Sequence, residues 1–176
     1  MKTLVNVVCG VLLNKNIVYL PKRATTLSDN PGCFEFPGGK IEKNEVKIDA
    51  LKRELSEELS IIVCDKDIIA FPGNNIKFEN IDLTCYLITH WENELKIVPG
   101  INSEIISVDI KELKNIDQLL ETDKLLIKPI LNKALEMKLP QGSPRQNETS
   151  PRSLKRLGTL VVPMEIGENP YLEGTS

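Results

Sequence analysis

Apolar residues in this chain fall mostly into short stretches bounded by turn residues, and twice the period shifts to that of a helix. Residues 3–13 and 17–20 are rich in Val, Ile and Leu, and Asn14-Lys15-Asn16 between them reads as a hairpin. Residues 22–35 show no period; they hold Arg23 and Asp29-Asn30-Pro31-Gly32 and read as a loop. Over 45–59 the period becomes helical, with Ile48, Leu51, Leu55 and Leu59 on one stripe. Residues 61–63 and 68–71 read as strands, followed by a turn at Pro72-Gly73-Asn74-Asn75. Residues 81–90 alternate and predict a long strand, and 105–108 predict another. A second amphipathic helix is expected over 123–138, with Leu126, Ile130, Leu131 and Leu135 inward. Pro129 lies beyond its first turn and should kink it. Strands flanked by two helices predict a mixed α/β sandwich.

Composition changes abruptly near residue 140. Residues 1–139 hold 16 of the 17 lysines, two of the five arginines and 18 of the 19 isoleucines. Residues 140–176 hold the other three arginines, five of the 11 prolines and four of the ten glycines. We therefore expect one domain over 1–139 and a segment of different origin over 140–176. That segment is expected to be mostly disordered, with Leu160-Val161-Val162-Pro163 able to add a short strand.

The net charge of −3 gives no basic field for nucleic acid. Cys9, Cys33, Cys64 and Cys85 form no metal-binding spacing and read as reduced thiols, which predicts a cytoplasmic protein. One histidine, His90, argues against a His-based zinc site. No apolar run nears the roughly 20 residues that span a bilayer, so no membrane partner is expected. The start, through Cys9, reads as a first strand rather than a leader, because Asn6 interrupts it and Val8 precedes the cysteine.

The chemistry lies in 36–61. Glu54, Glu57 and Glu58 are spaced i, i+3 and i+4 and share one helix face, roughly 110° from the apolar stripe. Such a helix packs on a core while its carboxylates line an exposed rim. Like charges at this spacing repel by a few tenths of a kcal/mol each. A bound dication reverses that sign, and hard oxygen donors suit Mg²⁺ or Mn²⁺. The bland alternative is a solvated acidic face. Phe36-Pro37-Gly38-Gly39 precedes the helix; paired glycines let backbone approach a ligand closely, and Pro37 stiffens the approach.

From Gly39 to Ile61 the chain reads G-x5-E-x7-R-E-U-x-E-E-x-G-U, where U is aliphatic, with Ser60 in place of the last Gly. This resembles the signature of the Nudix hydrolases, which use Mg²⁺ to cut a diphosphate linked to a nucleoside or another group. The stretches around Lys22-Arg23-Ala24, Phe34–Glu42 and Tyr86–Glu92 are similar to the MutT branch, the 8-oxo-dGTP diphosphatases. The resemblance covers about residues 3 to 138. It implies an α/β/α sandwich with a mixed sheet between helices, acting on a nucleotide, and the chain is expected to be a monomer. It implies a metal held by Glu54, Glu57 and Glu58, with the Gly38 carbonyl as a further ligand and Glu45 supporting that shell. It implies that Arg53 holds a glutamate in place and that Glu54 helps deprotonate water. Arg23, Glu35, Phe36 and Asp123 would contact the nucleotide.

Some positions keep two readings. Asp123 faces a purine or caps the last helix, and the two are compatible. Lys40 contacts phosphate or is solvated. Trp91 and Phe36 stack a base, or Trp91 packs at a strand end. Ser60 stands where a glycine ends the helix, at a strain of about 1 kcal/mol if the position is left-handed. The branch's further metal-linked glutamate falls near Pro99, where Glu94 or Glu104 are the available substitutes. Its basic nucleotide contact falls at Glu79 or Asn80. These departures leave open a family member acting on CTP, another nucleotide or a nucleotide sugar, or a weak or inactive nucleotide-binding module.

Overall fold

The computed structural model describes residues 3–137 and a strand at 160–161. The first strand, β1 (Val5–Asn14), turns through Lys15 and Asn16 into β2 (Ile17–Arg23), pairing Asn14 with Ile17. β3 (Gly38–Lys40) follows a long loop, and the helix α1 (Lys47–Leu59) follows β3. Then come β4 (Ile68–Ile69), β5 (Asn75–Phe78), β6 (Ile81–Ile88) and β7 (Asn102–Asp109). Helix α2 (Glu121–Glu136) closes the domain, and β8 (Leu160–Val161) pairs with Ile106 and Ser107 of β7. Apart from β8, the expectation for 140–176 lies outside the described residues, as does the end of the helix predicted to Lys138.

The strands make one mixed sheet in the order β4-β6-β1-β2-β7-β8, with β3 also on β1 and β5 also on β6. β1 lies parallel to β6, from Val5 with Ile81 to Leu12 with Ile88. Its alternation feeds both faces. Val8 and Leu12 pack with Leu51, Leu55 and Leu59 of α1, whereas Cys9, Val11 and Leu13 join Leu126, Ile130 and Ala134 of α2. The helices therefore cover opposite faces of the sheet, as the sandwich reading requires. Gly10 permits the close approach of α1: a Cβ there would stand 3.1 Å from Ile88 and 3.3 Å from Leu51. Burying each of these leucines contributes about 1.5–3 kcal/mol.

Several expectations change. Residues 61–63 form only a single bridge, Ile62 with Glu92, because Ile61 and Val63 turn into the α1 cluster while Ile62 is exposed. β5 was not predicted; Asn75 carries it out of the turn by donating its side chain to the Leu83 carbonyl of β6. Leu135 is exposed and Ala134 takes the inward position, because α2 packs with its Asp123, Leu126 and Ile130 line toward the sheet. α2 begins two residues earlier than expected, at Glu121, and holds Pro129 in its interior, as the sequence placed it. The proline's ring faces the Gly73 turn, and the carbonyl that loses its partner belongs to the exposed Leu125.

Candidate active site

α1 begins at Lys47 after Val46, which supplies no side-chain cap. The chain before it is fixed by Glu45, whose carboxylate accepts from the Glu42 N–H at 2.9 Å. The helix ends at Ser60, which is left-handed (φ 59°, ψ 27°) and donates its N–H to the Ser56 carbonyl. A serine there bears the strain that the glycine of the sequence pattern avoids.

Arg53 organises the carboxylate face. Its Nε and Nη2 grip the two oxygens of Glu45, each at 2.9 Å, in a fork. Its Nη1 donates to Glu54 at 2.8 Å and to Glu57 at 3.3 Å, and Nη2 also reaches the Lys40 carbonyl at 3.0 Å. The hydrogen bonds from Arg53 hold the Glu45 carboxyl down to about 2. Glu54 is half-buried, and that burial raises its pKa against the pull of Arg53. Its carboxyl rests on Gly39, where a Cβ would overlap it. Glu58 is buried and accepts from the Gly38 N–H at 3.0 Å. Burial first, and the Glu35 charge second, push the Glu58 carboxyl up to about 8. Gly38 (φ 153°) admits no side chain, because a Cβ would lie 2.6 Å from Cys9 Cα.

Gly38, Gly39 and Lys40 are the join between this helix and a cleft of about 570 Å³. Arg23, Glu35, Phe36, Phe78 and Asp123 line the cleft. Arg23 Nη1 donates to Glu35 at 2.8 Å, and its Nε donates to the Asp29 carbonyl at 3.0 Å. Burial raises the Glu35 pKa and the Arg23 charge opposes it. Asp123, only 3% exposed, accepts from the Phe36 N–H at 2.6 Å and from the Thr122 hydroxyl at 3.2 Å. Burial pushes its carboxyl up to about 7, against the Phe36 hydrogen bond. Asp123 does not cap α2. Leu120 is the N-cap residue, without a side-chain cap, and Asp123 sits in the first turn, tied to the opposite loop.

Other sequence candidates separate. Pro37 does not line the cleft; its carbonyl accepts from the Gly10 N–H at 2.9 Å. The Lys40 side chain is exposed at the cleft. Trp91 packs edge-on against Tyr19, ring centroids 5.7 Å apart, in the α1 cluster away from the cleft. Glu104 is bound to Lys22 at 3.0 Å, and Glu94 and Pro99 are exposed. Glu79 and Asn80 both line the cleft. Phe78 was not anticipated; it is a large, partly exposed aromatic at the cleft, and only the pairing of β5 with β6 brings it there.

The donors are those a hard dication takes: carboxylate and peptide oxygens around a buried, charge-disfavoured Glu58. Among the described residues no three carboxylates converge on one point. Arg53 draws Glu45, Glu54 and Glu57 together, while Glu58 turns to Gly38. The acidic excess of Glu35, Glu54, Glu58 and Asp123 over Arg23 and Arg53 fits a divalent cation. Among the described residues no helix is long and apolar enough to cross a membrane.

A family model described as NUDIX domain matches residues 3–132. The chain is 37% identical over 95 residues to an 8-oxo-dGTP diphosphatase of Proteus vulgaris, covering 53% of this chain and 84% of that protein. It is 40% identical over 93 residues to a CTP pyrophosphohydrolase of Escherichia coli, covering 53% of this chain and 68% of that one. Among solved structures, it is similar to MutT, studied from Aliivibrio salmonicida and Vibrio cholerae. The TM-score is 0.61 at 26% identity, over 73% of this chain and 98% of that one.

Proposed function

The chain belongs to the Nudix hydrolase family, in its MutT-like branch, and from that premise we propose that it is a nucleoside triphosphate pyrophosphohydrolase dependent on Mg²⁺ or Mn²⁺, with 8-oxo-dGTP as its preferred substrate. Water adds to the β-phosphorus, the bond to the α-phosphate oxygen breaks, and 8-oxo-dGMP and pyrophosphate leave. The role is removal of an oxidised nucleotide before DNA replication can incorporate it. The observation that carries the reading is the carboxylate face of α1 set against Gly38 and Gly39 at the edge of a cleft sized for a nucleotide.

In this reading Glu54, Glu57 and Glu58, with the Gly38 carbonyl, hold the metal, and Glu45 and Arg53 support them. Glu57 is turned outward to Arg53 and would have to swing in to join them. Once bound, the metal would supply charge neutralisation and an acidified water. Glu54 takes the proton of the attacking water. Arg23, paired with Glu35, is placed to meet the nucleotide, with Lys40 beside the phosphates. Phe36 and Phe78 offer apolar contact to the base, and Asp123 its edge. Catalysis is then mainly positioning and charge neutralisation.

A second reading, another nucleotide such as CTP, is favoured by one observation. Asp123 spends one oxygen on the Phe36 N–H, and above about pH 7, where its carboxyl ionises, it can only accept. The O6 and N7–H side of an oxidised guanine asks for a donor and an acceptor together.

The test is turnover of 8-oxo-dGTP beside dGTP and CTP, with Mg²⁺ and with a chelator, resolving the monophosphate. Glu54→Gln and Glu58→Gln should each lose at least about a hundredfold in kcat. Full activity in either removes the metal assignment, and metal-dependent preference for CTP removes the substrate while keeping the mechanism.

A further inference from the structure

Glu58 is held at two ends by different strands. Its carboxylate accepts from the Gly38 N–H of β3, and its peptide carbonyl accepts from Asn102 Nδ2 of β7, each at 3.0 Å. That carbonyl lies in the last turn of α1, where the helix supplies no partner. The amide that would have served it, Ile62 N–H, bonds the Glu92 carbonyl instead.

Asn102 arrives there through a defect in the ladder. Lys22 pairs with Glu104 and Arg23 with Asn102, so Ser103 is the extra residue of a bulge. Glu104 stays on the α2 side of the sheet, with Lys22, whose ammonium lies 5.2 Å from the Phe34 ring centroid. Strict alternation would place Asn102 on that same side. The bulge turns it to the α1 side, where it meets Glu58.

The amide orientation is fixed by its partner. A peptide carbonyl only accepts, so Nδ2 must face it and Oδ1 must face away. Oδ1 is buried and has no protein partner, on a residue only 3% exposed.

We propose that Asn102 is a positioning residue that fixes the Glu58 carboxylate by gripping Glu58's own peptide carbonyl. The inference rests on the reading of Glu58 as a metal-holding group. Asn102 thereby ties the height and rotation of the last α1 turn to the strand that also carries the loop after Trp91.

The experiment uses the full chain, Mn²⁺ as probe without nucleotide, and free Mn²⁺ followed by electron paramagnetic resonance. Asn102→Leu keeps the branched shape, in a bulkier side chain, without the amide; Asn102→Ser is smaller and polar, and stands in where the first does not fold. Glu58→Gln is the reference. Each Asn102 variant is expected to weaken Mn²⁺ binding and lower kcat about tenfold, with KM for the nucleotide held within about twofold. A purely structural role would lower the melting temperature and leave Mn²⁺ affinity and kcat per folded molecule unchanged. That result, with Mn²⁺ lost in Glu58→Gln, overturns the proposal. Wild-type Mn²⁺ binding in Glu58→Gln instead overturns the reading of the site on which it rests.

Discussion

Replacing Asp123 by Asn should make the protein more stable at neutral and alkaline pH. The carboxyl is 3% exposed, and its pKa rises from an ordinary 3.8 to about 7. The folded state therefore keeps a proton that the unfolded chain releases, so stability falls as pH rises from about 4 to about 7. Each pH unit of displacement corresponds to about 1.4 kcal/mol, giving a burden on the order of 4 kcal/mol once the group is ionised. Asparagine is isosteric. Its Oδ1 still accepts from the Phe36 N–H, and its Nδ2 donates to the Thr122 hydroxyl, which rotates to accept. The variant should match the wild type near pH 4 and exceed it by roughly 3–4 kcal/mol at pH 8. Urea unfolding followed by circular dichroism at half-unit intervals between pH 4 and 8 measures the difference directly. A difference that is flat with pH, or a variant less stable at pH 8, would show that Asp123 ionises without penalty and refute the argument. The same protein tests specificity, because Asn offers a base edge both a donor and an acceptor.

Ser60→Gly should relieve the left-handed strain at the end of α1, raising stability by up to about 1 kcal/mol and Tm by roughly 2–4 °C in a thermal scan, with kcat unchanged. Arg53→Lys loses the two-pronged grip on Glu45 and the simultaneous reach to Glu54 and Glu57. It should lower kcat by about tenfold or more in steady-state assays while circular dichroism stays native. Gly38→Ala forces a methyl against Cys9 Cα and the Val8 carbonyl, so it should either fail to fold or displace β3 and abolish turnover, read by soluble yield and activity.

The carboxylate face of α1 was legible because its information is local. Glu54, Glu57 and Glu58 fall on one face by helical period alone, and the left-handed end of α1 follows from a glycine position occupied by serine. What was not legible depends on distant partners. Asn75 looks like a turn residue until β6 supplies the ladder that makes β5 a strand. Leu135 satisfied the same period as Ala134, and only the angle at which α2 lies on the sheet decides between them. Asn102 reached the α1 face through a one-residue bulge, a change of parity that no alternation rule sees. For Trp91 the packing reading holds and the base-stacking one does not, because its ring meets Tyr19 of the β1–β2 hairpin edge-on.

The parallel pairing of β1 with β6 also dictates an order of assembly. The β1–β2 hairpin closes across two residues, so it can form early, while the chain is still short. Joining Val5 to Ile81 closes a loop containing the long loop after β2, all of α1 and the β5 turn, at a far larger cost in chain entropy. Phe78 comes to the same cleft as Gly38 only after that closure. A nascent chain ending before Ile81 thus carries every glutamate of the motif and no cleft beside them. Chain order thus places the acidic helix ahead of the strand that completes the cleft, which needs Ile81 and Leu83 of β6 as well as the glycines beside α1.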